Sequence, residues 1–347
     1  MKNILNKINN LSSLSEKESY FFFKKLVIGK IPNFILKNVL YKMHVKGEKK
    51  TEILGAVKAF LEQKKYFPKP DYLYADIVGT GGDGKNLINI STISAIVSSL
   101  CGLKIIKHCN NSITGTIGSA DLLNFFKMPI DVNPSTSRYL LEKYNLCFLL
   151  ANKFYSSFKY YKKVRQELKI PTIFNLIAPL LNPSSPPLAL IGVYDEKLLF
   201  PMIEVCKELN YSRVMLVNNN NTDEVTLNGI TKVVELKNGI ISSYELTAKN
   251  FGIENVLTKQ NIFLNNKKEN NLQIAQNILM GIGNEKHEYT IAMNVALVLK
   301  LFGNENLIKN TKYAIKIIKS GIAYLKIKSI ASILRKKYAK NYIKKNN

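Results

Sequence analysis

Gly79-Thr80-Gly81-Gly82-Asp83-Gly84 follows a short apolar run at residues 74–78 and holds the most suggestive chemistry in the chain. Glycines let backbone amides approach a ligand closely, and amides at a following helix start donate well to phosphate oxygens. The spacing matches G-x-G-x-x-G, but a dinucleotide site also needs an acid about 20 residues on to hold ribose hydroxyls. Ser99–Lys104 occupies that region, and no acid lies between Asp83 and Asp121. The dinucleotide reading fails, and so does a P-loop, because no Gly-Lys-Ser/Thr follows. The acid-free stretch is itself informative. It carries Lys85, Asn89, Ser91, Thr92, Lys104, Lys107, Asn110, Ser112, Thr114 and Ser119, a set suited to a multiply charged phosphate ligand. Farther on, Asp223 and Glu224 stand side by side. Adjacent carboxylates are the hard oxygen ligands that magnesium accepts, although on their own they read equally well as an exposed acidic turn.

These residues must be positioned by regular elements. Residues 1–70 read as helices: SLSEKESYFFFKKL offers a serine N-cap before apolar residues at helical spacing, and KKTEILGAVKAFLEQ repeats the pattern. FPKPDY at 67–72 breaks the chain. Strands are then expected at 74–78, 103–108, 146–151, 188–193, 213–217 and 232–236. The helices between them are expected at 91–101, 135–144, 155–168 and 195–209. That alternation predicts an α/β fold with a largely parallel sheet, whose ligands sit beyond the carboxyl ends of the strands. Residues 171–187 hold five prolines and break the rhythm, so they are expected to cross to another part of the molecule. After about 270 the chain reads as helical.

Composition removes several function classes. No apolar run reaches the roughly 18 to 20 residues that span a bilayer. The N-terminus lacks an apolar export signal, so a cytoplasmic protein is expected. The four cysteines form no CxxC pair and the three histidines show no zinc spacing with them, which argues against zinc and disulfides. The net charge of +25 raises nucleic acid as a partner. Yet the lysines after Glu305 alternate with Ile, Leu and Tyr at helical spacing, as on solvated amphipathic faces, so no specific nucleic-acid site is expected.

Four ordered blocks carry a family resemblance. GTGGDG at 79–84 precedes NIST at 89–92; KHCNNSITG at 107–115 runs into GSADLL at 118–123; VRQELKIPTIFNLIAPLLNP spans 164–183; TDEVT spans 222–226. In order and spacing they resemble the anthranilate phosphoribosyltransferases. A pyrimidine nucleoside phosphorylase shares the glycine loop but is not expected to combine TDEVT with the VRxEL and IFNL block. The resemblance implies a small all-helical N-terminal domain, residues 1–70 with part of 170–190 packed on it. A larger α/β domain with a mostly parallel central sheet, of the class II nucleoside phosphorylase and phosphoribosyltransferase kind, would occupy residues 71–347. It implies a homodimer that transfers phosphoribose from 5-phosphoribosyl-1-pyrophosphate to anthranilate in tryptophan biosynthesis, with Mg2+.

By motif, Gly79, Gly82 and Asp83 would line pyrophosphate and ribose, and Asn89, Ile90, Ser91 and Thr92 would bind phosphates with Lys107 and Ser119. The block His108, Cys109, Asn110, Asn111, Ser112, Ile113, Thr114 and Gly115 would line the substrates, Asn110 and Arg165 meeting anthranilate. Asp223 and Glu224 would hold magnesium, with Ser91 near a second ion. The family pattern is not matched at Leu87, Cys109, Asn111, Tyr155, Ser156 and Ala178, while the phosphate- and metal-binding core is retained.

Overall fold

The computed structural model describes residues 1–82, 88–110, 118–254 and 268–343. Four helices open the chain: α1 (Lys2–Asn9), α2 (Glu16–Val27), α3 (Asn33–Lys46) and α4 (Lys50–Leu61). The serine cap read from sequence is Ser15. Its side chain accepts from the Glu18 amide at 3.3 Å while Glu18 Oε2 accepts from the Ser15 amide at 2.9 Å. Such a reciprocal cap satisfies two backbone donors that a helix start otherwise leaves orphaned.

The α/β part then unfolds in the order β1 (Ala75–Gly79), α5 (Ile90–Leu100), β2 (Ile105–Cys109), α6 (Ser119–Phe125), α7 (Pro134–Tyr144), β3 (Leu146–Leu150) and α8 (Ala151–Phe154). Short helices α9 (Lys162–Leu168) and α10 (Ile173–Ile177) lead to β4 (Leu188–Gly192), α11 (Leu199–Glu208), β5 (Arg213–Asn219), β6 (Thr231–Lys237) and β7 (Ile240–Leu246). The chain closes with α12 (Lys268–Leu279), α13 (Glu285–Leu301), α14 (Leu307–Lys319) and α15 (Ile322–Ile343). Among the described residues no helix is long and apolar enough to cross a membrane.

The seven strands form one sheet in the order β3-β2-β1-β4-β5-β6-β7. The first five are parallel; β6 and β7 run antiparallel at one end. The six expected strands are present, and β7 is an addition. The expected helix at 155–168 differs. It is a 3-10 turn over Ser156–Tyr160 followed by α9, with Tyr161 at φ −126° interrupting the helical path between them.

Strand order reverses at the β1–β4 pair, where Ala75 faces Leu188 and Gly79 faces Gly192. A reversal of this kind opens a crevice between the two loops at the carboxyl ends, because their connections leave in opposite directions. The chain between β3 and β4 detours across the N-terminal helices. Tyr161 stacks on Phe174 with centroids 4.1 Å apart, and both meet Phe60 of α4, at 5.7 and 6.1 Å. Buried aromatic contacts of this kind contribute about 0.5–1.5 kcal/mol each beyond their area. They tie α9 and α10 to α4 while the same stretch runs back to the crevice.

Candidate active site

The loops after β1 and β4 are stitched together at the crevice. The Thr80 amide donates to Gly192 O at 2.9 Å, and the Tyr194 amide donates to Thr80 Oγ1 at 3.0 Å. Above them passes the turn between β5 and β6 that carries Asp223 and Glu224. It passes very close: a Cβ on Gly79 would lie 2.3 Å from Asp223 Oδ2, and one on Gly192 would lie 1.5 Å from Asp223 O. At Gly192 the obstacle is backbone and only hydrogen fits, while at Gly79 a side chain would push the Asp223 carboxylate aside. The turn is held from behind by Asn294 of α13, whose amide group donates to Val225 O at 2.8 Å and whose oxygen accepts from the Val225 amide at 3.3 Å.

So supported, the two carboxylates meet both expected phosphate elements. The Gly81 amide donates to Asp223 Oδ2 at 2.6 Å, and the Ser91 amide donates to Glu224 Oε1 at 3.3 Å. Ser91 stands in the first turn of α5, where the helix dipole favours anions. Thr92 Oγ1 donates to Ser119 Oγ at 2.8 Å, joining the starts of α5 and α6. Lys107, fully buried in β2, donates to Ser91 Oγ at 3.1 Å and to the Ile77 carbonyl. Burial pushes its ammonium pKa down, opposed by the Asp76, Glu224 and Asp223 carboxylates and by the Cys109 thiol. Gly79, Ser91, Thr92, Lys107, Ser119, Asp223 and Glu224 are therefore brought together around one space.

The opposite wall comes from the detour between β3 and β4. Arg165 of α9 donates to Asn175 Oδ1 at 3.4 Å, and Asn175 of α10 donates to Thr80 O at 3.1 Å. The guanidinium lies 5.7 Å from the Phe174 ring centroid. Burial lowers its pKa, yet an arginine stays charged. A cation thus reaches the glycine loop through a single amide side chain. His108, buried in β2, hydrogen-bonds the Ala178 carbonyl; burial pushes its pKa down to about 4, so the ring is neutral at pH 7. Its ring meets Tyr155 edge-on at 6.4 Å, and the Tyr155 hydroxyl donates to Leu181 O at 2.8 Å.

Other expected residues contribute less directly. Ile90 and Cys109 are buried, and the Cys109 thiol, its pKa pushed up to about 12 by burial, points at Leu149 O, 3.5 Å away. Asn89 sits at the N-cap of α5, Gly82 follows the loop with φ +84°, and Asn110 leaves the end of β2. Asp83, Leu87, Asn111, Ser112, Ile113, Thr114 and Gly115 lie outside the described residues. Sequence reasoning assigned no role to Thr80, Asn175, Gly192 or Asn294. A glycine ending an otherwise apolar strand, as in LALIG, is the one such signal that was available for Gly192.

Residues 71–324 match the family described as glycosyl transferase family, a/b domain. The anthranilate phosphoribosyltransferase of Buchnera aphidicola subsp. Schizaphis graminum is 49% identical over 335 residues, covering 96% of this chain and 99% of that one. That of Buchnera aphidicola subsp. Baizongia pistaciae is 48% identical, with 94% and 98% covered. The chain belongs to the anthranilate phosphoribosyltransferase family. Its fold agrees with solved members. The Thermus thermophilus enzyme superposes with a TM-score of 0.86 at 28% identity, covering 96% of this chain and 99% of that one. The Saccharomyces cerevisiae enzyme in complex with PRPP and Mg superposes with a TM-score of 0.81 at 28% identity, over 95% and 97%.

Proposed function

We propose that the crevice between the β1 and β4 loops transfers the 5-phosphoribosyl group from 5-phosphoribosyl-1-pyrophosphate to the amino group of anthranilate, a step of tryptophan biosynthesis. The observation that carries this is the reach of Asp223 and Glu224 onto the glycine-loop and α5 amides, in a chain 49% identical to a curated family member. The yeast relative solved with PRPP and Mg, and the one solved with 4-fluoroanthranilate, support both substrates.

In this reading the glycine loop, Ser91, Thr92, Lys107 and Ser119 bind the donor phosphates, and Arg165 pairs with the anthranilate carboxylate. The amine nitrogen attacks the anomeric carbon, the C–O bond to pyrophosphate breaks, and its electron pair leaves with pyrophosphate. The amine then loses its proton. Lys107 and the α5 amides oppose the charge that grows on the leaving group, which is where preorganised electrostatics act most strongly. Asp223, Glu224 and Ser91 fit magnesium: the two carboxylates reach the glycine-loop and α5 amides beside Ser91, and magnesium characteristically takes one or two carboxylates plus phosphate oxygens. Bound there, the ion would supply further positive charge to the pyrophosphate.

The assembly proposed is a cytoplasmic homodimer with a helical lobe of residues 1–70 joined by part of 170–190. Phe34, Tyr41 and Val45 lie along one line of α3 and are 74%, 53% and 55% exposed, an apolar stripe that a second copy would cover. Loss of anthranilate fluorescence on adding 5-phosphoribosyl-1-pyrophosphate and magnesium tests the reaction, and sedimentation tests the dimer. No turnover, with both substrates shown to be intact, would overturn the first; a monomer at micromolar concentration would overturn the second.

A further inference from the structure

Asp76 lies inside β1, fully buried and outside the residues that surround the donor. Each of its oxygens is used. Oδ1 accepts from the His108 amide in β2 at 3.2 Å, and Oδ2 accepts from the Asn182 side-chain amide at 2.8 Å. The same Asn182 amide donates to Ile106 O at 2.8 Å, while Asn182 Oδ1 accepts from the Ser184 amide at 3.0 Å and the Ser184 hydroxyl at 2.8 Å. Asn182 belongs to the stretch that returns from the N-terminal helices to β4. Three neighbouring bonds join that stretch to the sheet side: His108 to Ala178 O, Tyr155 Oη to Leu181 O at 2.8 Å, and Tyr74 Oη to Ser184 O at 2.7 Å. Asp76 is the carboxylate in this set, and it alone grips the His108 backbone and the crossover at once.

We infer that Asp76 is a positioning residue that locks the returning crossover to the end of β2, and so sets the acceptor side of the cleft relative to the donor side. The inference rests on the reading of this crevice as the site of phosphoribosyl transfer. The register places Asp76 and His108 on one face of the sheet, while Ile77 and Lys107 face the other. Losing the Asp76 link therefore disturbs His108 and the segment that follows Arg165 and Asn175, while the bonds from Lys107 to Ser91 and Ile77 stay on the far face and Lys107 loses only a neighbouring counter-charge. The lock is also sensitive to protonation. Burial raises the Asp76 carboxyl to about 6, opposed by Lys107, Asn182 and the His108 amide. Other titratable groups within electrostatic reach are Cys109, Cys147 and Tyr211, all pushed upward by burial and so neutral near pH 6. His108 is neutral there too. A proton on the carboxyl removes an acceptor that Asn182 or His108 needs.

Asp76→Asn provides the test, because the new amide can still accept from His108 but would turn a donor toward the Asn182 donor. The expected result is a rise in the anthranilate KM on the order of tenfold, each tenfold being 1.4 kcal/mol, with a smaller change in the PRPP KM because the variant also removes the negative charge near Lys107. Wild-type kcat/KM for anthranilate should also fall below pH 6 in a way the variant does not share; titration of anthranilate itself affects both alike. Asn182→Ala cuts the lock but keeps the Asp76 charge near Lys107, so it should raise the anthranilate KM with the PRPP KM within about twofold, and the double variant should be no worse for anthranilate than the poorer single one. Hydrogen exchange of residues 178–187, corrected for intrinsic rates, reads the lock without any substrate. It should speed up on going from pH 7 to pH 5 in the wild type only. Equal effects on both KM values, multiplicative losses in the double variant, or pH-independent exchange in the wild type would each overturn the inference. Absent turnover in the wild type would instead strike at the reaction assigned, leaving the exchange experiment to decide the lock.

Discussion

Replacing Gly192 by alanine would set a methyl carbon 1.5 Å from the Asp223 carbonyl oxygen and 2.3 Å from the carbonyl carbon. Ordinary contact begins at 3.4 Å, so the Asp223–Glu224 turn must retreat by about 2 Å. The obstacle is backbone of the turn between β5 and β6, with no flexible side chain to swing aside. A displacement of about 1 Å at reacting groups typically costs on the order of 100-fold in rate, so at least that loss is expected in kcat/KM. The bonds that the two carboxylates accept from the Gly81 and Ser91 amides should break with it, and the magnesium concentration for half-maximal rate should rise. Overpacking costs about 1 to 3 kcal/mol of stability, which leaves a domain of this size folded. The assay is a magnesium titration of anthranilate consumption, with circular dichroism and thermal melting on the same sample. Activity within fivefold of wild type at the same magnesium requirement would refute the claim that close approach at Gly192 places the carboxylates.

Other outcomes are expected on the same grounds. Asp223→Asn combined with Glu224→Gln should raise the magnesium requirement and depress turnover severely; unchanged magnesium dependence counts against these ligands. Arg165→Ala should weaken anthranilate use by roughly 10- to 150-fold, the equivalent of about 1.5 to 3 kcal/mol for a charge-assisted bond, with little change in donor affinity. Lys107→Ala should show the opposite preference, and separate titrations of the two substrates decide both. Glu48 is buried, and burial followed by the nearby Glu52 raises its carboxyl from 4.5 to about 7. Its folded state holds a proton the unfolded chain has lost, so the stability it allows is present below pH 4.5 and disappears as pH rises through 7. The ceiling is about 3 kcal/mol. Glu48→Gln should flatten that dependence in urea denaturation at pH 5 and pH 8, and an unaltered difference between the two would exclude it. DNA binding should be weak, sequence-independent and nearly abolished by moderate salt, which a salt titration of duplex binding checks.

Much of the sheet was legible because buried strands show as apolar runs of the right length. β7 was not: its sequence IISSYEL is largely exposed, so it lacks the apolar signature. A local signal did exist in Asn238-Gly239, both at positive φ, a pair characteristic of the two-residue turn that joins antiparallel strands. That turn makes the end of the sheet antiparallel. The helix expected at 155–168 was lost to tertiary demand, since Tyr161 leaves the helical path and its ring stacks on Phe174. At the site, residue types and spacing exposed the donor elements, because phosphate binding needs glycines, hydroxyls and cations close together in sequence. The supporting contacts were hidden. Asn175, Gly192 and Asn294 act across 95, 31 and 69 residues of chain, on Thr80, Asp223 and Val225, and nothing local announces such pairings.

The pairing of β1 with β4 has a consequence for how the chain matures. Ala75 finds Leu188, 113 positions later, and the turn bearing Asp223 and Glu224 follows later still. Closing so long a loop costs entropy before any contact repays it, and parallel pairing over such separations is slow. During synthesis the glycine loop emerges well before its partners, and at about 5 to 20 residues per second the wait lasts many seconds. Through that interval the loop has neither Gly192 to bond nor a carboxylate to meet. Donor binding is thus a property of the finished sheet, and a fluorescent donor analogue added to stalled nascent chains would register the moment at which the two halves join.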